Sequence, residues 1–443
     1  MTFPTADELI VSTLGPCTVP CALLGSGMPF VDEAHRVLLS ADVADLEPYL
    51  RSGQSPPAFE PAGPRRQVFF DPKALTCGIV TCGGLCPGIN NVIRAIVLTL
   101  TYSFGVGRVL GFRYGYAGLA RNAQEPLSLM PAMVDRIHEF GGTVLGSSRG
   151  PQAVSDMVDT LVRRRIGILF VIGGDGSLKG AAALSAEIAR RGERIGVIGI
   201  PKTIDNDIQW ITRSFGFATA VEAARMVING AHQEALGAWN GVGLVKLMGR
   251  QAGFIAAHAT LASCDVNFCL VPEAPFALDG EAGVLQALER RLERKHHAVI
   301  VVAEGAGQEL IHEPGGAHDA SGNVKLKDVG PFLRERIAQH FAARGAEVTV
   351  RYLDPSYSIR SQPANSMDAE FCLALGQHAV HAGMSGRTNM MVGFWNQQLT
   401  HVPIPLAVAS RRQLDPDGPI WQRVLETTGQ SAFSAAAGEP VSS

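Results

Sequence analysis

Short apolar runs, each closed by glycine and polar residues and followed by a longer stretch with apolar positions three or four apart, recur along this 443-residue chain. The first complete unit is "ALTCGIVTCGGLCPGINNVIRAIVLTL": a β-rich run, a glycine and proline turn, then a helical pattern from about Asn90. "RIGILFVIGGDGS" leads in the same way into "LKGAAALSAEIARRG", and "RIGVIGIPKTIDND" follows as another apolar run with polar residues at its carboxyl end. Repeated strand, loop and helix predict an α/β protein with doubly wound, parallel sheets, whose ligands bind outside the carboxyl ends of the strands. From about residue 240 the alternation resumes in "GVGLVKLMGRQAGFIAAHATLA", "FCLVPEAPF", "HHAVIVVAEGAGQ" and "EVTVRYLDPSYSIRS", which predicts a second lobe of the same kind.

The expected organisation is two Rossmann-like, doubly wound lobes with an N-terminal extension. Residues 1–72 form the extension, and its proline-rich end "SGQSPPAFEPAGPRRQ" reads as a linker or a strap over the surface. Residues 73–215 make the first lobe, completed by about 359–410, and 216–358 make the second. Residues 411–443 are a C-terminal helix and a disordered tail, since "GQSAFSAAAGEPVSS" is small and polar. "ELIHEPGGAHDASGNVKLKD" is polar and glycine-rich and predicts a surface loop or hairpin. No repeat of solenoid period is present.

Composition removes several classes of function. A hydrophobic content of 46% fills at least two cores, and a net charge of -3 without a dense Lys/Arg run lacks the footprint of a nucleic-acid binder. Small metabolites are the expected partners. The eight cysteines lack paired CxxC spacing and read as reduced thiols. No cationic leader precedes an apolar run, and no stretch of about 18 apolar residues occurs, so a cytoplasmic protein without a membrane span is expected.

Two loops carry the candidate chemistry. "GGDGS" follows an apolar run: either Asp175 is a helix N-cap, or the backbone amides receive phosphate oxygens while Asp175 holds their cation. The P-loop pattern GxxxxGK[ST] is absent. In "PKTIDND", Asp205 and Asp207 stand two apart, so an extended backbone would point both carboxylates to one side, with Lys202 and Thr203 alongside. Two acids on one face require a cation or a proton to relieve them. One acid then serves as base and the other supports a metal.

From about residue 75 to 396 the chain resembles the phosphofructokinase family, on "CGGLCPGINN", "GFRYGYAGL", "GGTVLGSSRG", "GGDGS", "PKTIDND", "KLMGRQAGF", "VAEG" and "DPSYSIRS" in the family's order. The N-terminal extension and "PKTIDND" are similar to the branch that holds pyrophosphate-dependent enzymes and their ATP-dependent relatives. The resemblance implies phosphoryl transfer to the 1-hydroxyl of fructose 6-phosphate, with Mg2+ and with ATP as co-substrate. It implies Asp205 as general base, Asp175 at magnesium with Asp207 positioning the ion or its water shell, and Arg149 and Lys202 at the transferred phosphate. Gly84, Gly88, Arg113, Gly174, Gly176 and Ser177 would meet the donor. Thr203, Met248, Gly249, Arg250 and Glu304 would surround the sugar, with Arg250 near the reacting end and Glu304 accepting from hydroxyls. Tyr357 and Arg360, with Arg351 six residues before Tyr357, would contact the 6-phosphate. An assembly of subunits, dimer or tetramer, is implied as well.

The chain departs from the short bacterial members at Gly241, where many carry an arginine nine residues before the "MGR" arginine. His258 reads as a core or interface residue. The donor depends on position 176: pyrophosphate-dependent relatives place an aspartate there, whereas Gly176 leaves room for an α-phosphate. Lys202 is the residue expected beside that aspartate, so the pair is mixed, and the combination resembles the ATP-dependent enzymes. The alternatives are a pyrophosphate-dependent phosphotransferase, a catalytically silent regulatory subunit, and a lipid or NAD kinase. The last would lack the "PKTIDND", "MGR" and "DPSY" combination.

Overall fold

The computed structural model describes residues 3–311, 324–431 and 433. Most of the polar stretch after Gln308 lies outside the described residues, and with it the loop expectation made there; residues 432 and 434–443 of the tail lie outside them too, but Gln430 and Phe433, at the start of the stretch expected to be disordered, are packed into the second unit. The chain divides into two compact units: Met1–Thr203 with Ile208–Gly216 and Ser361–Arg411, and Ile204–Asp207 with Phe217–Arg360 and Arg412–Ser443.

The first unit is built on a nine-stranded sheet. Its centre is parallel, in the order Met390–Trp395, Gly196–Pro201, Ile168–Gly173, Thr76–Thr81 and Arg108–Phe112. The strands Thr76–Thr81, Ile168–Gly173 and Gly196–Pro201 are buried along their whole length. That explains why they read as continuous apolar runs rather than alternating ones: helices cover both faces of a parallel sheet. On one face the helices Ile89–Leu98 and Ser366–Met384 approach so closely that a Cβ on Gly376 would stand 2.5 Å from the Ala95 Cβ. The sheet therefore admits only glycine at that crossing.

The extension differs from its reading as linker or surface strap. Ala58–Pro61 is a strand that pairs antiparallel with Gln398–Pro403 and, on its other side, with Val37–Leu38, so it extends the main sheet. Phe59 is fully buried, edge-on to Trp210 and Trp395 at 6.3 Å each. Glu60, next along, accepts from Arg65 at 2.9 Å and from His401 Nδ1 at 3.2 Å, and it is also paired with Arg387. Proline density concealed the strand, because proline-rich stretches read as linkers and only Pro61 of these prolines lies within it.

The second unit carries a four-stranded parallel sheet in the order Phe268–Leu270, His297–Ala303, Gly241–Leu247 and Thr349–Leu353. Val242 and Leu244 alternate into a cluster with Leu288, Ile300, Leu333 and Phe341. The C-terminal segment belongs here too: the Gln430 side chain exchanges two hydrogen bonds with the Cys269 backbone at 2.7 and 3.1 Å, and Phe433 joins the core. His258 is half-buried in this unit, its ring edge-on to Phe217 at 5.2 Å. None of the eight cysteines forms a disulfide, and no helix among the described residues is long and apolar enough to cross a membrane.

Candidate active site

Each candidate loop begins where a parallel strand stops. In the first unit, Thr81 leads to Gly84, Gly173 to Gly174 and Asp175, and Pro201 to Lys202 and Thr203. In the second, Leu247 leads to Met248, Gly249 and Arg250, Ala303 to Glu304, and Leu353 to the segment holding Tyr357 and Arg360. A strand end fixes the first loop residues, and ligands of parallel sheets gather at such ends.

Gly174 is the N-cap of the helix Asp175–Arg190, so Asp175 stands in its first turn, where the Ser177 amide donates to the Gly174 carbonyl at 3.0 Å. The Asp175 carboxylate is 13% exposed and has two cations on it, Lys179 at 3.0 Å and Arg411 at 3.3 Å. A Cβ added to Gly176 would meet nothing within 4 Å. Ser177 is fixed through its carbonyl, which accepts the Tyr116 hydroxyl at 2.6 Å. That bond needs the bare backbone of Gly180, where a Cβ would stand 2.6 Å from the Tyr116 ring.

The buried Lys202 ammonium crosses to the first loop and donates to the Gly84 carbonyl at 2.6 Å. A Cβ on Gly83 would lie 3.6 Å from that Nζ and 3.8 Å from the Ser177 hydroxyl, so the three loops of this unit converge. Gly88 has φ +98° at the start of the helix Ile89–Leu98, and a Cβ there would strike the Cys372 sulfur at 2.5 Å. Its glycine is demanded by packing, which the reading as a phosphate contact did not foresee. Arg113 lies over the Tyr114 ring at 5.1 Å, and Arg149 is exposed. The Thr203 carbonyl accepts the Ser214 hydroxyl at 2.5 Å.

The "PKTIDND" loop corrects one expectation. Asn206 has φ +55°, so the backbone between Asp205 and Asp207 is left-handed rather than extended, and the simple alternation that would put both carboxylates on one side does not hold. Asparagine tolerates that conformation better than most residues. Asp205 is half-buried and Asp207 buried; the Asp207 carbonyl accepts the Arg412 amide at 2.9 Å.

In the second unit the strand-end loops are stitched together through backbone. The Glu304 amide donates to Leu247 at 2.8 Å and the Gly305 amide to Gly249 at 3.1 Å. Gly249 has φ +131°, and a Cβ on Gly305 would stand 2.0 Å from the Arg250 carbonyl, so neither glycine can carry a side chain. Burial pushes the Glu304 carboxyl above its ordinary range, against the opposing pull of Lys246 and Arg250. Arg250 donates to the Val324 carbonyl. Arg360 lies over the Tyr357 ring at 4.7 Å. Arg351 pairs with Glu234 at 3.7 Å.

Several residues escaped the sequence reading. Lys179 stands four after Asp175 on one helix, a spacing that could have signalled the pair. Arg411 reaches Asp175 from 236 residues away, with no local signal at all. Lys246 bridges Asp328 and Asp354 at 2.8 and 2.9 Å.

The family described as Phosphofructokinase matches residues 76–383. A protein of Amycolatopsis methanolica named ATP-dependent 6-phosphofructokinase is 48% identical over 99% of this chain and 98% of its own. Another so named, from Borreliella burgdorferi, is 48% identical over 84% of this chain and 85% of its own. Among solved structures, a pyrophosphate-dependent phosphofructokinase from Marinobacter aquaeolei superimposes with a TM-score of 0.66 at 20% identity, covering 83% of this chain and 94% of that one. At that identity the likeness speaks for the fold.

Proposed function

This chain belongs to the phosphofructokinase family, and we propose that it is an ATP-dependent 6-phosphofructokinase of glycolysis, moving the γ-phosphoryl group of ATP to the 1-hydroxyl of fructose 6-phosphate. The observation that carries the reading is the 48% identity to an enzyme of that name along essentially the whole of both chains. The geometry at Gly176 supports ATP over pyrophosphate, because the space that a side chain at this position would fill is open.

Asp205 takes the proton from the sugar's 1-hydroxyl as that oxygen forms its bond to the γ-phosphorus. The bond from phosphorus to the bridging oxygen breaks, and ADP leaves with the electron pair. Gly84, Gly174, Gly176 and Ser177 receive the donor's phosphates through backbone amides and the hydroxyl, and Arg113 serves the nucleotide. Lys202 and Arg149 offset the charge that spreads over the transferred group. Met248, Gly249, Arg250, Glu304 and Thr203 hold the sugar, and Tyr357 and Arg360 its 6-phosphate.

Asp175 fits a magnesium ion. Its carboxylate stands at a helix N-terminus with two cations already drawn to it, which marks the place as one that accepts positive charge. No group of three acidic, histidine or cysteine side chains among the described residues could hold a metal alone. Magnesium carried mainly on substrate phosphates needs only one or two carboxylates. Asp175 and Asp207 would hold it, and the ion supplies charge neutralisation at the phosphate oxygens. A cytoplasmic homo-oligomer, dimer or tetramer, completes the reading.

The test is a coupled assay with fructose 6-phosphate and magnesium, run once with ATP and once with pyrophosphate. Saturable turnover with ATP alone is expected. Turnover with pyrophosphate alone would move the chain to the other donor class, and none with either would reject the reading.

A further inference from the structure

Lys246 occupies a position where a charge needs a reason. It follows Val242 and Leu244 on the core-facing side of the strand Gly241–Leu247, and its side chain is only 13% exposed. Its ammonium reaches Asp328 Oδ1 at 2.8 Å and Asp354 Oδ2 at 2.9 Å. Burial works against the charge, yet the bonds to Asp328 and Asp354 more than offset it and hold the lysine above its ordinary range.

Asp354 leads to a segment that the proposed function uses. The other Asp354 oxygen accepts the Ser356 amide at 3.2 Å, which fixes the first turn of the helix Ser356–Ser361 bearing Tyr357 and Arg360. Lys246 is the strand residue before Leu247, whose carbonyl anchors the Glu304 amide, and its charge acts on the Glu304 carboxyl. One ammonium thus ties the strand ahead of Arg250, the aspartate at the start of the Tyr357 and Arg360 helix, and the field at Glu304. Without it, Asp328 and Asp354 would face each other as like charges.

We infer that Lys246 is a positioning residue for the sugar's 6-phosphate, holding the Tyr357 and Arg360 helix in register through Asp354. The inference rests on the proposed function, since it takes fructose 6-phosphate as the ligand of that helix. A purely structural lysine would affect stability and both substrates alike.

The full-length enzyme in its native assembly is assayed with each substrate varied in turn. Lys246→Met is expected to raise KM for fructose 6-phosphate about tenfold or more, with KM for ATP unchanged and kcat within about threefold. Lys246→Arg keeps the charge and should recover much of the loss. In an Arg360→Ala background the Lys246→Met change should add less than about threefold, because the group it positions is gone. If Lys246→Met does not fold, Asp354→Asn carries the same expectation. A KM for fructose 6-phosphate left at the wild-type value, equal damage to both substrates, or full additivity with Arg360→Ala overturns the inference. Wild-type protein that fails to use fructose 6-phosphate overturns the proposed function instead.

Discussion

The Arg411 guanidinium reaches the Asp175 carboxylate at 3.3 Å although 236 residues separate the two in sequence. The contact comes from the segment after the strand Gln398–Pro403, within the first unit, which reaches the start of the helix Asp175–Arg190. Asp175→Asn should lower kcat by roughly 100-fold or more and raise the magnesium concentration needed for half activity, since an amide attracts the ion far less. Arg411→Ala should raise KM for ATP by roughly three- to tenfold and leave KM for fructose 6-phosphate alone. Steady-state kinetics at several magnesium concentrations read both.

Gly176 decides the donor in this reading. A Cβ at this position meets nothing within 4 Å and lies in the first helical turn, where an acidic side chain is tolerated or mildly favoured. Gly176→Asp should therefore fold normally, yet reduce kcat/KM for ATP by roughly 100-fold as its charge meets the triphosphate. Circular dichroism with ATP kinetics checks the pair, and full ATP turnover by a folded variant would refute the steric account.

Asp205 as base predicts a split between binding and chemistry. Asp205→Ser or Asp205→Asn should cut kcat by roughly 100- to 10,000-fold while fructose 6-phosphate still binds within a few-fold of its wild-type affinity. Calorimetric titration of the variant with the sugar phosphate reads binding without turnover. An Asn variant that retains most of its kcat would remove Asp205 from the chemistry.

Acid stability should depend on a buried group where the N-terminal strand meets the main sheet. Burial lowers the His378 ring to about 4, with His401 adding to the effect, and burial lowers His381 to about 3, with help from His378, His401 and Arg65. In the unfolded chain both titrate near 6.5. Between that value and about 4 the unfolded state therefore binds more protons. Stability is full above about pH 6.5 and is lost as pH falls through this window, at up to about 1.4 kcal/mol per pH unit for each ring. Glu60 behaves differently: burial works against its charge, but His401 and Arg387 hold it well below the usual carboxylate range, so its contribution persists through the same window. Chemical unfolding at pH 7 and pH 5 should show the loss, and His381→Leu should flatten it. An unchanged slope in that variant would show that His381 takes no part.

Local sequence was enough to specify the strands that carry the site. Residues 76–81, 168–173 and 196–201 are apolar throughout, which only a sheet covered on both faces accommodates, and the glycines and acids gathered after them belong to strand-end loops. The strand Ala58–Pro61 was not legible, because its prolines resemble a linker and its partner lies more than 300 residues on, at His401 and Thr400. The backbone turn at Asn206 was hidden for another reason: spacing says nothing about a left-handed φ, and the alternation of an extended chain fails wherever one occurs. Local pattern thus determined which segments carry the candidate residues, since periodicity and turn composition act over a few residues. Tertiary structure alone decided that Arg411 faces Asp175 and that Lys246 joins Asp328 to Asp354. Charges pair by distance in space, and only the folded sheets bring these side chains within hydrogen-bond reach.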